Sequence, residues 1–424
     1  MKDLKNKKLL VLSGGYLSVP VVERAKELGM YVIVTDFYED WKDSPAKSVA
    51  DEGWNISWND IETLKEKCRE YKVDAVVTGF SEFAVKAMID LCKALNLPCY
   101  INYEQLDITS DKKLFKKTCK QYGLPTVPEY KLLEDALDAE EYPYIVKPVD
   151  RAGTIGIKVA YTEKELKENF DYAMELSPSK SVIIEKYMAG CCKVDLYYMI
   201  NSGEIRLLSP SDSFMCEKFG HEKIVQNGWI HPTRHFNAIK PEIEEKIYGF
   251  IKGIGVENGY MFISTFVDEN DKMYIFECGY RLCGGVTFLY SARNHNYNYL
   301  DHFLEYAVYG ECDLDNFGSI DARRQKNISV AINFYVKADN IIAKIEGIEE
   351  ARELPYVIGS FKCVPEGTVG TNEGALLTKA AMVILYLEEG ADKKEAVKKI
   401  YDIVKITNDK GENIIIDYID MEEL

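Results

Sequence analysis

The run Tyr144-Ile-Val-Lys-Pro-Val-Asp-Arg-Ala-Gly-Thr-Ile-Gly-Ile-Lys-Val159 constrains this chain more than any other stretch. Tyr144 to Val146 reads as a short buried strand that ends at Lys147-Pro148. A loop with Gly153 and Gly156 follows, and then a second apolar run, Ile157 to Ala160, interrupted by Lys158. Strand, glycine loop, strand predicts a hairpin that folds over something. Glycines let backbone N–H groups come close to an anion, and a lysine at the strand end offers a point charge to a phosphate. No Gly-Lys-Ser/Thr follows, so this is not a Walker loop, and no helix follows, so it is not a dinucleotide fingerprint. Such a hairpin is weak by itself, and its neighbours decide its meaning.

The N-terminal stretch gives the first of these. Leu9 to Leu12 is a buried-strand run, Ser13-Gly14-Gly15 a turn, Val19 to Leu28 a helix pattern, and Tyr31 to Thr35 a second strand ending in Asp36. Together they predict a βαβ unit of a doubly wound parallel sheet. The third spaced glycine of a dinucleotide site is missing. A helix over Ile61–Tyr71, a strand Ala75–Val77 and a helix Glu82–Leu95 continue the pattern. Gly14, Gly15, Thr78 and Gly79 then fall at strand carboxyl ends, where open parallel sheets place their clefts.

Further on, Thr109-Ser110-Asp111-Lys112 caps a helix to about Tyr122, and Ser181 to Glu185 is a strand running into Lys186-Tyr187-Met188-Ala-Gly190. Strands are expected at Lys193–Ile200 and Ile205–Leu208, an irregular substrate-facing loop over 211–235, and a helix from Pro241 to Gly253. The strand pair Met261–Val267 and Met273–Glu277 delivers Glu277-Cys-Gly279-Tyr-Arg281-Leu-Cys-Gly284-Gly285. The tail reads as strands Ile328–Val336, Ile341–Ile345 and Tyr356–Cys363, then helices Ala375–Glu388 and Lys393–Lys405.

With 424 residues the chain exceeds one core and should divide into several domains. An apolar share of 47% with 29% charged residues is that of a globular protein. The balance of 52 basic against 69 acidic residues, −17, argues against a nucleic-acid partner and against anionic membranes. Eleven scattered cysteines without a Cys-x-x-Cys pair suggest reduced thiols. The apolar run after the lysine-rich start is too short for a signal core or a span. The expected location is the cytoplasm.

Asp111-Lys112, the Lys147 hairpin, Glu185-Lys186-Tyr187-Met188 before Gly190, and Glu277…Arg281…Gly284-Gly285 stand in an order that resembles the ATP-grasp superfamily. The likeness is greatest to carboxylate–amine ligases related to the carbamoyl-phosphate synthetase large chain, biotin carboxylase and L-amino acid ligases. The resemblance implies an α/β, α+β architecture in three parts: a pre-ATP-grasp parallel-sheet domain over 1–105, an ATP-grasp domain over 106–310, and a C-terminal α+β lobe over 311–424. The middle part would comprise a hairpin lobe at about 125–188 and a large lobe at about 189–310.

It further implies ATP and Mg²⁺ as cofactors. Lys112 and Lys147 would contact phosphates, with Gly153, Thr154 and Gly156 in the loop closing over them. Glu185, Lys186 and Met188 would frame the adenine, Glu277 would hold Mg²⁺, and Arg281 would bind the substrate carboxylate or its acyl-phosphate. Gly284, Gly285, Arg234 and Asn296 are further substrate candidates. A small-molecule carboxylate, an amine and a homodimeric assembly complete the expectation.

The sequence departs from the family pattern in three places. An acid is replaced by Thr265, an Asn by Gly279, and the acid after Gly190 by Cys191-Cys192. Asp268, Glu269 and Asp271 read as an exposed turn. His221, His231 and His235 read as solvated loop residues, Cys191, Cys192, Cys278 and Cys283 as inert thiols, and the aromatic run Phe288–Tyr299 as packing. The leading reading is an ATP-dependent ligase that activates a carboxylate as an acyl-phosphate for an amine. The alternatives are an ATP-binding regulatory module without turnover, and a carboxylase-like or carbamoyl-phosphate-forming enzyme.

Overall fold

Four short runs form the N-terminal sheet, β1 (Lys8–Leu12), β2 (Tyr31–Asp36) and β4 (Ala75–Val77) buried on both faces and β3 (Glu52–Asn55) buried only at Trp54. The computed structural model describes residues 1–150, 156–188, 190–216, 225–313, 315–371 and 378–424. The strands lie parallel in the order β3-β2-β1-β4, as the βαβ pattern predicts. β3 was not anticipated, because Glu-Gly-Trp-Asn offers only Trp54 as a large apolar residue. The acid that ends β2 is consumed locally. Asp36 accepts from the Gly14 N–H at 2.9 Å and from Ser44, and pairs with the buried Lys47 at 2.7 Å. A Cβ at Gly14 would lie 1.9 Å from Ser44 Oγ, so the turn needs glycine. Asp36 holds its own turn instead of waiting for a ribose.

The expected cleft at these strand ends is largely filled. Thr78 is buried with its hydroxyl on the Leu12 carbonyl, and Gly79 lies against Leu282. Gly15 stays open, with nothing within 4 Å of the Cβ it lacks.

The organising hairpin is present. β5 (Glu129–Tyr130), β6 (Tyr144–Pro148), β7 (Lys158–Ala160) and β8 (Val182–Lys186) make an antiparallel sheet in the order β5-β8-β6-β7. One face packs Tyr144, Val146, Ala160 and Ile184 against the helix Glu163–Leu176, while the other carries charge. Gly153 and Thr154 lie outside the described residues.

The third sheet is the largest. It uses β9 (Cys192–Asn201), β10 (Glu204–Leu207), β11 (Ser211–Cys216), β12 (Val225–His231), β13 (Gly259–Val267), β14 (Met273–Gly279), β15 (Ile328–Tyr335), then, past the short β16 (Lys344–Glu346), β17 (Val357–Lys362) and β18 (Lys379–Leu387). Its order is β14-β13-β9-β11-β12-β15-β18-β17, with β10 on β9. Thus the strands after residue 310 extend the sheet begun at residue 192.

Two expectations are corrected here. Most of the described residues of 211–235 lie in two ladder strands, because Phe214 and Ile230 are taken by the core on one face and Trp229 by the core on the other. The run expected as a helix, Ala375–Glu388, holds β18, whose Ala-Met-Val-Ile-Leu is buried on both faces between β15 and β17. One face of the sheet sends Tyr197, Met199 and Trp229 toward the parallel-sheet core. The other buries Val194 and Leu196 under the helix Pro241–Gly253, and Val330 and Val383 against the helix Lys393–Ile403. Among the described residues, no helix is long and apolar enough to cross a membrane.

Candidate active site

Strand alternation decides which side chains of the hairpin sheet meet. Ile145 pairs with Glu185 and Lys147 with Ile183, so Lys147 and Glu185 are diagonal neighbours on one face. Glu129 stands directly across from Glu185 on β5 and shares that face. The helix Lys112–Gln121 crosses over it, capped by Asp111, whose carboxylate accepts the Leu114 N–H at 2.7 Å. Lys112 and Lys116 are one turn apart and project from the same side.

These groups form a charged chain. Lys147 Nζ lies 2.5 Å from Glu185 Oε2, the other Glu185 oxygen takes Lys116, and Lys116 lies 3.2 Å from Glu129. The Lys116, Lys147 and Glu185 side chains are nearly sealed from solvent, at 4%, 10% and 3% exposed. Burial holds the Lys147 amine below the ordinary lysine range, and the like charges of Lys116 and Lys112 push it further. Glu277 and Glu129 oppose that shift. Lys112 is lowered by burial too, against Glu277, Asp150 and Asp111. Lys112, Lys147 and Glu277 therefore feel one another although they come from three different elements.

Glu277 reaches this place from the large sheet. It sits exposed on β14, opposite Ser264 of β13, which in turn stands opposite Asp195 of β9. Asp195 accepts from Ser264 Oγ at 2.5 Å and from Lys193 Nζ at 2.6 Å, and Lys193 also reaches Gln226 Oε1 at 3.1 Å. Sequence reasoning missed Lys193 and Asp195. Their signal was alternation: polar residues at every second position of a strand otherwise apolar on both faces. Asp195 is thus an acid soon after Gly190, on the same sheet face as Glu277.

The departures from the family pattern have physical causes. Thr265 is wholly buried, and its hydroxyl bonds the Val194 carbonyl, facing away from Glu277. A Cβ at Gly279 would come 2.4 Å from the Phe262 ring, which holds the volume a larger residue would need. Asp268 caps its own turn through the Asn270 and Lys272 N–H groups at 2.9 and 3.0 Å. Glu277 is then the open carboxylate of the expected metal set. Mg²⁺ commonly takes one or two protein carboxylates plus substrate phosphates, so this donor set fits a metal that phosphates share.

Arg281 is already engaged. Its Nε and one terminal nitrogen lie 2.7 and 2.6 Å from Glu82 Oε1, at the start of the helix Glu82–Leu95, and its guanidinium stacks 5.3 Å from the Phe262 ring centroid. Gly284 lies 3.7 Å, counted from its missing Cβ, from Leu17, near the open Gly15 turn.

Other expectations fail or shift. Glu185 gives both its oxygens to lysines, and the Lys186 and Tyr187 N–H groups donate to the Pro128 and Pro143 carbonyls at 3.0 and 2.9 Å. Lys186 lies outward, 3.7 Å from Glu141, and Met188 is half-buried. Arg234 is not at the site: it pairs with Asp212 at 3.0 Å and donates to the Glu423 carbonyl, and Asp212 sits opposite Val194, hence on the sheet's other face. Asn296 is an exposed left-handed helix cap whose carbonyl takes Asn316. His231 is buried, not solvated, with its pKa lowered to about 4 by burial. His221 lies outside the described residues. Cys192, Asp212 and His235 lie within 4.8 Å of one another. Asp212 is satisfied there by Thr233 and Arg234, and burial holds the Cys192 thiol up at about 12.

Residues 111–217, which span the capped helix, the hairpin and the start of the large sheet, match the family described as carbamoyl-phosphate synthase L chain, ATP binding domain. The ATP-grasp resemblance is borne out by that match. The chain is 27% identical over 272 residues to a formate-dependent phosphoribosylglycinamide formyltransferase of Prochlorococcus marinus, covering 61% of this chain and 66% of that protein. It is 24% identical over 276 residues to an N5-carboxyaminoimidazole ribonucleotide synthase of Staphylococcus aureus, covering 63% and 68%. The L-amino acid ligase from Bacillus licheniformis superposes with a TM-score of 0.75 at 19% identity, over 95% of this chain and 99% of that one. The fold is the ATP-grasp fold.

Proposed function

We propose that this ATP-grasp chain is an ATP-dependent carboxylate–amine ligase. The carboxylate oxygen of one substrate attacks the terminal phosphorus of ATP, giving an acyl-phosphate and ADP. The amine nitrogen of a second substrate then attacks the acyl carbon, phosphate leaves, and the amine proton passes to phosphate or solvent. The observation that carries this reading is the convergence of Lys112, Lys147 and Glu277 between the hairpin sheet and the large sheet, beside the Glu82–Arg281 pair.

Phosphoryl transfer needs mainly positioning and charge neutralisation. Lys112 and Lys147 supply cations from the helix and the hairpin. Glu277 would hold Mg²⁺, which when bound neutralises charge on the phosphates. Arg281 offers a planar fork to a carboxylate, provided that Glu82 gives it up or shares it. Arg281 and Glu82 place a cationic and an anionic receptor side by side. That suits a substrate carrying both charges, so amino acids lead the list of carboxylates and amines to be screened.

The test is ADP release with Mg-ATP across pairs of amino acids and small carboxylates. Some pair should stimulate it, and Glu277→Gln should abolish the stimulation. Intact turnover in that variant would refute the metal assignment. A second reading, an ATP-binding regulatory module, is favoured by the single open carboxylate of the metal set. It becomes the better one if wild type binds ATP tightly yet no pair raises ADP release.

A further inference from the structure

Lys116 belongs to none of the motifs above, yet it occupies the centre of the charged chain. Its Nζ lies between Glu129 and Glu185, with the Val127 carbonyl at 3.5 Å, and its side chain is 4% exposed. Lys147 takes the remaining oxygen of Glu185. The order is Glu129, Lys116, Glu185, Lys147: two charges of each sign in contact. A Lys147 docked on Glu185 cannot give its full charge to a phosphate. If it left and no other cation stayed, Glu185 would be a buried unpaired carboxylate, which is strongly unfavourable. Lys116 is the cation that stays, because a second carboxylate anchors it from the other side.

We propose that Lys116 is a positioning residue for nucleotide binding: it keeps Glu185 paired, so that Lys147 can pass from Glu185 to a phosphate when nucleotide enters. The handover breaks one ion pair and forms another, with no covalent change and no orphaned charge. The proposal rests on the nucleotide-binding half of the function above and not on turnover. It predicts an effect that depends on phosphates, whereas a helix merely docked by Lys116 would affect every ligand alike.

The experiment is calorimetric titration of wild type, Lys116→Met and Lys116→Arg with ADP and, separately, with adenosine. Lys116→Met should weaken ADP tenfold or more and leave adenosine within twofold, and Lys116→Arg should recover ADP to within about threefold of wild type. Equal losses for ADP and adenosine, or no loss of ADP, overturn the proposal. Should Lys116→Met fail to fold, Glu129→Gln serves instead. It leaves Lys116 wholly to Glu185, so Lys147 is released more easily and ADP should bind severalfold tighter; affinity at or below wild type overturns the proposal. Wild type that binds no ADP overturns the nucleotide reading and this proposal with it. ADP binding that is alike in all variants overturns only this one.

Discussion

Replacing Lys147 by Met separates its two roles, because its partner Glu185 has a second cation. Removing one member of a buried ion pair ordinarily costs about 3–5 kcal/mol, since the other charge is left uncompensated. Here Glu185 keeps Lys116, so the loss of stability should be nearer that of one hydrogen bond, about 1 kcal/mol. The loss in nucleotide binding should be larger. A charge-assisted contact to a phosphate is worth about 1.5–3 kcal/mol, which is roughly a 10- to 150-fold rise in the ADP dissociation constant. Glu185→Met is the contrast: it strips the shared anion from two buried ammonium groups, and its stability should fall by about 3–5 kcal/mol. Urea unfolding measures the first quantity and calorimetry with Mg-ADP the second. An ADP affinity within twofold of wild type rejects the phosphate role of Lys147. Unfolding as severe in Lys147→Met as in Glu185→Met rejects the argument that Lys116 keeps Glu185 paired.

Arg281→Lys keeps the charge but loses the two-nitrogen contact with Glu82, so KM for the carboxylate should rise in steady-state assays while ADP affinity stays unchanged; a matching loss of ADP affinity would place Arg281 on the nucleotide instead. Gly279→Asn, the residue the family pattern asks for, drives a Cβ to 2.4 Å from the rigid Phe262 ring and should destabilise by about 1–3 kcal/mol. Phe262→Ala should make the same substitution nearly free, and additive effects in that double-mutant cycle would show that the ring is not the obstacle. His231 and His295 are lowered by burial to about 4 and His302 to about 3, so the folded chain keeps them neutral where an unfolded chain, with imidazoles near 6.5, takes up protons. Stability should therefore fall as pH drops from about 6.5 toward 4, by roughly 4 kcal/mol per unit at the steepest for three protons; unfolding free energies that are flat between pH 7 and 5 would contradict this.

The parts of the fold that were legible in the sequence are those whose burial writes a period into the chain. β1, β2 and β4 are short runs buried on both faces, and the helices Glu82–Leu95 and Pro241–Gly253 carry a clean apolar stripe, so their bounds could be read directly. β18 could not be told from a helix by period, because a strand inside a sheet covered on both sides is apolar at every position. β11 and β12 were hidden because they carry site-facing or internally paired polar residues such as Asp212, Ser213 and Gln226. The site divides in the same way. Lys112 starts its helix and Lys147 and Glu277 stand within two residues of the ends of their strands, where motif order reveals them. Lys116 and Glu129 act through partners that only the packing of a helix across a sheet brings together, and no local spacing encodes that contact. Arg234 was misread because a loop arginine beside histidines resembles a substrate contact until the sheet assigns it to the opposite face.

The thin metal set and the dense lysine set are two sides of one charge balance. Lys112, Lys116 and Lys147 stand against Glu129, Glu185 and Glu277, three positive and three negative, so the site is near neutral as folded. A polyphosphate adds several negative charges to this neutral ground, and Lys116 and Lys147 are already shared with carboxylates. Three lysines balanced by three carboxylates do not by themselves neutralise it. Nor does the site hold enough anion to retain a divalent cation in advance, with Glu277 the open carboxylate and Thr265 turned into the core. On the function proposed above, each deficit would be met by the other ligand: phosphates would complete the coordination that Glu277 begins, and the metal would carry the charge that the lysines cannot. The overall −17 does not oppose this, because surface carboxylates more than about 8 Å away are screened in physiological salt. On that proposal nucleotide and metal would enter together, with Lys147 moving off Glu185 as they arrive.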